Sequence, residues 1–138
     1  MKMKKNGVID QIMLWIVLFV AFITMFFMVI DYYMVMKTKD RCDALANYGV
    51  RMKALGKDES YITDGLNKIK NSYFEEIESD DIVCNEDDTQ NDYQTIFTIE
   101  TTFSNMFLSD SEKIVSKSSA FNEVNASHID CSLTLQVH

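Results

Sequence analysis

From Ile12 to Ile30 the chain has nineteen consecutive uncharged positions, all of them hydrophobic except Thr24. Because a helix rises about 1.5 Å per residue, this stretch is long enough to cross a hydrocarbon core of about 30 Å. A cleaved secretory signal usually has a shorter apolar region, of about 7–15 residues, followed by a small-residue cleavage site. Here Asp31 and two tyrosines follow instead. The pattern predicts an uncleaved membrane-spanning helix over about residues 12–30.

The same helix is expected to continue beyond the membrane, because apolar residues return at helical spacing after residue 30. They are Val35, Cys42, Leu45, Gly49 and Met52. Charged and polar residues occupy the positions between them, and the chain contains no proline. We therefore predict one helix from about Val8 to Leu55, roughly 70 Å long, whose outer half is amphipathic. Gly56 is the natural end of this helix.

A second, shorter helix is predicted after Gly56. Ile62, Leu66, Ile69 and Tyr73 recur at spacings of four, three and four, which predicts a helix ending near Phe74. The following segment, 75–92, is acidic and polar. It contains one short apolar island, Ile82-Val83-Cys84, which is expected to form an edge strand or a turn.

The last third of the chain changes to an alternating pattern, which is typical of strands. Tyr93–Phe103 and Ile129–Val137 each place β-branched, aromatic or other apolar residues on one face. Ile114–Val124 is a weaker third strand, and Ser104–Ser111 is expected to be the loop before it. The predicted fold class is α+β, with the long N-terminal helix packed on a small C-terminal antiparallel sheet of three or four strands.

Charge divides the chain into two unlike parts. Residues 1–39 have a net charge of +3, whereas residues 40–138 have a net charge of −11 within a chain total of −8. An acidic body disfavours binding to nucleic-acid phosphates, so no nucleic acid is expected as a partner. Three lysines precede the apolar run, and by the positive-inside rule they favour a single-pass protein with its N-terminus in the cytoplasm and its acidic body outside.

Little in the sequence indicates catalysis, and the chain is not expected to be an enzyme. Its only histidines are His128 and the terminal His138, and no nucleophile motif accompanies them. The acidic segment 75–92 contains oxygen ligands that suit calcium but lacks the spacing of a calcium-binding loop. A solvated loop is the preferred interpretation and calcium binding the alternative, so neither a cofactor nor a metal is assigned.

Three cysteines allow a disulfide if the body is exported. Cys84 flanks the predicted sheet and Cys131 lies on the inward face of the last strand, so Cys84–Cys131 is the preferred pair and Cys42 the buried thiol. Three reduced core cysteines are the alternative. Asn125 begins an Asn-Ala-Ser match to the glycosylation pattern, although a turn before the last strand is the simpler interpretation of Asn125.

Four features together resemble a type IV pilin-like subunit. They are a short basic segment ending in glycine (Met1–Gly7), an acidic residue next to the apolar run (Asp10), a helix that changes from hydrophobic to amphipathic, and a small C-terminal sheet. The helical segment Lys37–Leu55 and the two strands that begin at Tyr93 and Ile114 are similar to TadE-like pilins of tight-adherence systems. The resemblance implies removal of residues 1–7 by a prepilin peptidase, which would leave Val8 as the mature N-terminus.

The family pattern has a glutamate at the fifth mature position, where this chain has Ile12; Asp10, at the third, is the acidic candidate. A carboxylate at the edge of the hydrocarbon is costly unless paired. The N-terminal ammonium of a neighbouring subunit, Lys4 or Lys5 is the expected partner of Asp10 during assembly. The alternative is an Asp10 that is solvated by headgroups and water.

The sequence thus divides into a leader-like segment (1–7), a long helix (8–56) and an extracytoplasmic α+β head (57–138). The favoured function is a structural pilin-like subunit that forms a homo-oligomer through its N-terminal helix and becomes a cell-surface filament. Its other partners would be the membrane and the pilus assembly machinery. The alternative is a single-pass anchored ectodomain that acts as an adhesin or ligand-binding module without polymerising.

Overall fold

The computed structural model describes residues 6–70, 72, 74–87, 93–104, 111–124 and 127–136. Helix α1 (Asn6–Ala54) contains 49 residues and is about 73 Å long at the usual rise. The helix is followed by a turn at Leu55 and Gly56, and Gly56 has a φ of 69°. The Gly56 N–H donates to the Lys53 carbonyl and the Lys57 N–H to the Met52 carbonyl, at 2.8 and 3.0 Å. Glycine is favoured here because other residues rarely adopt a positive φ.

Helix α2 (Glu59–Ile69) is shorter than expected, and the prediction that it ends near Phe74 is wrong. Lys70 is already extended, with a ψ of 154°. The Lys70 ammonium donates to the carbonyls of Phe74 and Glu75, while the Asn67 side chain both donates to and accepts from the backbone of Ile77. These bonds turn the chain back so that Phe74 and Ile77 enter the core. Tyr73 lies outside the described residues.

A short 3₁₀ turn (Ser79–Asp81) precedes four strands. The strands are β1 (Ile82–Asp87), β2 (Gln94–Ser104), β3 (Ser111–Phe121) and β4 (His128–Leu135). They form one sheet in the order β1-β4-β2-β3. The apolar island at residues 82–84 is therefore the start of an edge strand, and the predicted loop at 104–111 largely falls outside the described residues.

The sheet is mixed, so the prediction of an antiparallel sheet needs correction. β1 pairs with β4 and β2 with β3 in antiparallel fashion, but β2 and β4 are parallel, with Phe97 opposite Cys131. The reason is the short connection from β3 to β4, which makes β4 run opposite to β3. Since β3 is antiparallel to β2, β4 is parallel to β2 when it lies beside it. In this central position the apolar face of β4 is buried.

The core lies between the inward face of the sheet, the C-terminal half of α1 and α2. Its fully buried members include Leu45, Ile62, Leu66, Phe97, Ile99, Ile129 and Leu133. On α1, the Asp43 carboxylate contacts the hydroxyl of Ser116, and Ser118 donates to Asn47 at 2.6 Å. At the far end of the sheet, the Glu123 N–H donates to the Ala54 carbonyl. β3 therefore runs alongside α1 in the same direction. The fold is α+β, and α1 continues without a break from the apolar segment into the head.

Candidate membrane and assembly surface

The N-terminal half of α1 is largely uncovered among the described residues. Its large apolar side chains from Val8 to Val29 are between 36% and 69% exposed. In the described part of the chain this is the one helix long and apolar enough to span a membrane, with a mean hydropathy of 2.8 over its most apolar eighteen residues. Such a surface is stable only against lipid or other apolar helices, since a helix that is hydrophobic all round must be buried. The candidate functional surface is therefore this apolar half-helix and its two ends.

The N-terminal end carries the residues to which the resemblance assigned processing and assembly. Gly7 and Val8 lie in the first turns of α1, and within the described structure nothing beyond the helix's own backbone and the adjacent residues lies within 4 Å of a side chain placed at Gly7. Asp10 is exposed on the same helix. Lys4 and Lys5, two of the expected partners of Asp10 during assembly, lie outside the described residues. The structure thus places Gly7, Val8 and Asp10 in accessible positions at the start of the apolar segment.

The other end of the apolar segment carries Asp31, which sequence reasoning treated only as a flanking charge. Asp31 is 7% exposed, whereas its neighbours Tyr32 and Tyr33 are 67% and 65% exposed. Among the described residues its Oδ2 has no hydrogen-bond partner. The sequence did indicate this position, because Asp31 precedes Val35 by four residues and therefore lies on the side of the helix that faces the head. Along the helix axis, Asp10 and Asp31 are about 32 Å apart, close to the thickness of a hydrocarbon core.

Cysteine chemistry is confined to the head. A disulfide joins Cys84 on β1 to Cys131 on β4, the pair preferred from the sequence, and Cys42 is a buried free thiol on α1. The pKa of the Cys42 thiol is raised from 9.0 to about 11, mainly because the thiol is buried and to a smaller extent because of the negative charge of Asp43. Because the thiolate is the reactive form, Cys42 is suited to packing rather than to nucleophilic chemistry.

The remaining sequence candidates do not converge on a chemical site. His128 and Asp130 lie on the outward face of β4, and the His128 Nδ1 is buried without a partner in the described structure. No group of three His, Cys, Asp or Glu residues in that part of the chain could hold a metal ion. Asn125 and residues 88–92 of the acidic segment lie outside the described residues.

A shallow polar cleft lies at the end of the head farthest from the apolar half-helix. Its volume is about 330 Å³. The lining residues are Lys53, Gly56, Lys57, Asp58, Glu59, Glu86 and Ile129. Lys53 and Glu59 form an ion pair of 3.4 Å across it. The cleft is lined mainly by mutually compensating surface charges, which do not select a particular ligand class.

Comparisons with known proteins add no assignment. No protein-family model matches the chain, and neither a curated protein nor a solved structure matches it.

Proposed function

We propose that the chain is a membrane-inserted, pilin-like structural subunit that assembles through the N-terminal half of α1 into an extracellular filament. The acidic head would lie outside the membrane and form the surface of the filament. The observation that carries the proposal is the continuity of α1: one 49-residue helix is packed in the head over its C-terminal half and uncovered over its N-terminal half.

Such a helix suits two successive environments. In the bilayer, lipid chains cover its apolar surface, and in a filament the same surface packs against the helices of neighbouring copies. The head needs no rearrangement for this exchange because its core lies between residues 42 and 135. The resemblance to TadE-like pilins, drawn from the sequence, supports the same order of events, with processing after Gly7 and Val8 as the mature N-terminus.

The first experiment is the intact mass, with N-terminal fragmentation, of protein recovered from membranes and from material sheared off the cell surface. A chain that begins at Val8 in the sheared material supports export and processing by a prepilin peptidase. A chain that begins at Met1 and is confined to the membrane supports the alternative, a stationary anchored ectodomain. Full-length protein in sheared filaments would support assembly while contradicting leader removal.

Asp10 provides the sharper test of assembly. Asp10→Ala removes a carboxylate that is costly at the hydrocarbon edge unless a cation of the neighbouring subunit pairs with it. We expect filament yield to fall by about tenfold or more, the effect of about 1.4 kcal/mol at each subunit contact. Membrane insertion, measured by flotation with lipid vesicles, should be unchanged.

The matched control is Asp40→Ala, because Asp40 is an exposed aspartate on the same helix but outside the apolar segment. It should leave filament yield unchanged. Normal yield from the Asp10 variant would remove Asp10 from the assembly mechanism, and equal losses from both variants would indicate a general effect of charge.

A further inference from the structure

The contacts between α1 and the β2–β3 hairpin determine how far the head reaches toward the membrane. Asp43 contacts Ser116, and Asn47 contacts Ser118, so two strand residues advance with four helix residues. These steps are nearly equal in length, about 7 Å in the strand and about 6 Å in the helix. Strand β3 and helix α1 therefore run side by side with little drift.

Because β3 and α1 advance at nearly the same rate, the level that β3 reaches along α1 can be followed toward the N-terminus of the helix. From Ser116 to Ser111 the strand covers about 17 Å. From Asp43 to Asp31 the helix covers about 18 Å. Ser111 is paired with Ser104 at the last described rung of the β2–β3 ladder. That rung is therefore level with Asp31, the first residue after the apolar segment Ile12–Ile30.

The burial of α1 independently indicates that the head covers the helix down to this level. Asp31 is 7% exposed, and the residues one and two turns before it on the same stripe, Phe27 and Ile23, are 36% and 37% exposed. Residues on the opposite side of this part of the helix, such as Tyr33 and Met25, are 65% and 69% exposed. The side of α1 that faces the head is therefore less exposed than the opposite side, and this difference continues into the apolar segment.

Charge distinguishes this end of the head from the opposite one. Lys37, Lys39 and Arg41 are exposed on α1 within about 15 Å of Asp31. Lys113 lies two residues from the end of β3, where its Nζ pairs with Glu100 at 2.6 Å while its side chain remains 60% exposed. Among the side chains described at this level, these four bases outnumber the two exposed or half-exposed acids, Asp40 and Glu100.

The opposite end of the head has more acids than bases among its described side chains, the bases being Arg51, Lys53 and Lys57. Asp58 and Glu59 begin α2 there, Glu86 and Asp87 end β1, and Glu123 is bonded to the end of α1. Ala54, at this end, is about 35 Å along the helix from Asp31. An anionic lipid surface would attract the end with the lysines and repel the end with the carboxylates.

We propose that the described part of the β2–β3 ladder nearest the membrane, at Thr102 and Lys113, lies at the lipid headgroups beside the point where α1 leaves the membrane. The head is then held upright on the bilayer by two supports, the helix and the hairpin. Lipid phosphates accept hydrogen bonds from the lysine ammonium groups, which are strong because both partners are charged. The inference rests on the membrane insertion contained in the proposed function, but not on filament assembly.

The test measures the distance of two positions on the sheet from the headgroups in the full chain. Thr102→Cys and Ser119→Cys are both exposed, outward-facing positions, and Thr102 is paired with Lys113. Lys113 and Ser119 are six residues apart on β3, about 20 Å. Each variant is labelled with a fluorophore and inserted into vesicles of phosphatidylcholine and phosphatidylglycerol that contain a headgroup-linked nitroxide quencher. The unsubstituted chain gives the labelling background from Cys42.

We expect quenching at residue 102 to exceed that at residue 119 several-fold. In the Thr102→Cys background, Lys113→Glu should reduce the quenching, whereas Lys57→Glu, at the far end of the head, should not. Equally weak quenching at both positions would overturn the proposal because the head would stand away from the membrane. Equally strong quenching would also overturn it, since the head would lie on its sheet face. A chain that does not float with the vesicles would instead refute membrane insertion itself.

Discussion

Close approach between α1 and the sheet depends on a single residue without a side chain. A Cβ at Gly49 would lie 2.9 Å from Cζ of Phe97, whose side chain is fully buried and has no space to retreat. Phe97 is among the largest fully buried side chains of the core. Gly49 therefore determines the distance at which the helix packs on β2, although glycine lowers the intrinsic helix propensity at this position.

Gly49→Ala should destabilise the head by about 1–3 kcal/mol, because overpacking at Phe97 outweighs the gain in helix propensity of about 1 kcal/mol. Denaturant unfolding of the purified chain in detergent measures the change. Gly7→Ala is the matched control when both variants and the parent keep residues 1–7, since Gly7 lies on the same helix in open space. Equal stability of the two variants would show that the Phe97 contact is not restrictive.

At the scale of elements, β4 organises the sheet. It lies between β1 and β2, so it connects the edge strand to the β2–β3 hairpin. The disulfide from Cys131 to Cys84 links it covalently to β1 across a sequence separation of 47 residues. β1 is otherwise a six-residue edge strand, and short edge strands contribute few ladder bonds. The disulfide therefore compensates for a weakly attached strand.

Replacing both bridged cysteines, as Cys84→Ala with Cys131→Ala, should lower the free energy of unfolding by about 4 kcal/mol, the loop-closure value for a separation of this size. Thermal unfolding measures the effect. A reductant should lower the melting temperature of the parent chain but not that of the double variant, which serves as its control. A parent chain insensitive to reductant, with free thiols detected at both positions, would contradict the bridge.

At the scale of the whole molecule, the hydrophobic core and the candidate membrane-spanning segment lie in different parts of the chain. Every described member of the hydrophobic core lies between Cys42 and Leu135, while the described residues before Asp31 make up the apolar half-helix. The head therefore contains its own core, disulfide and helix cap. The half-helix contributes length and apolar surface, but no member of that core.

Deletion of residues 1–30 should move the protein from the membrane fraction to the soluble fraction while the head remains folded. The expected readouts are a cooperative thermal transition, a circular dichroism spectrum with both helix and strand, and an intact disulfide. The full chain in detergent is the control for the transition. An aggregated or non-cooperative product would show that the half-helix is needed for folding as well as for anchoring.

Patterns in the sequence predicted the type and approximate bounds of an element wherever its own residues identified it. The long helix, the strands near Tyr93 and Ile129 and the end of α1 at Gly56 were all predicted within a few residues of their positions. The end of α2 was not, because the chain is turned by bonds from Lys70 and Asn67 to residues that follow the helix. Asp31 was also missed, since its burial depends on the head covering its side of the helix.

The amino-acid sequence by itself determined that the chain has an apolar segment of membrane-spanning length, an amphipathic continuation and an acidic α+β head. These properties follow from composition and local periodicity, which each segment expresses independently of its neighbours. Only the tertiary structure decided that β4 enters the sheet between β1 and β2, parallel to β2, and that the β2–β3 hairpin reaches the level of Asp31. Strand order and register depend on contacts between residues far apart in the chain, and alternation identifies a strand without identifying its neighbour.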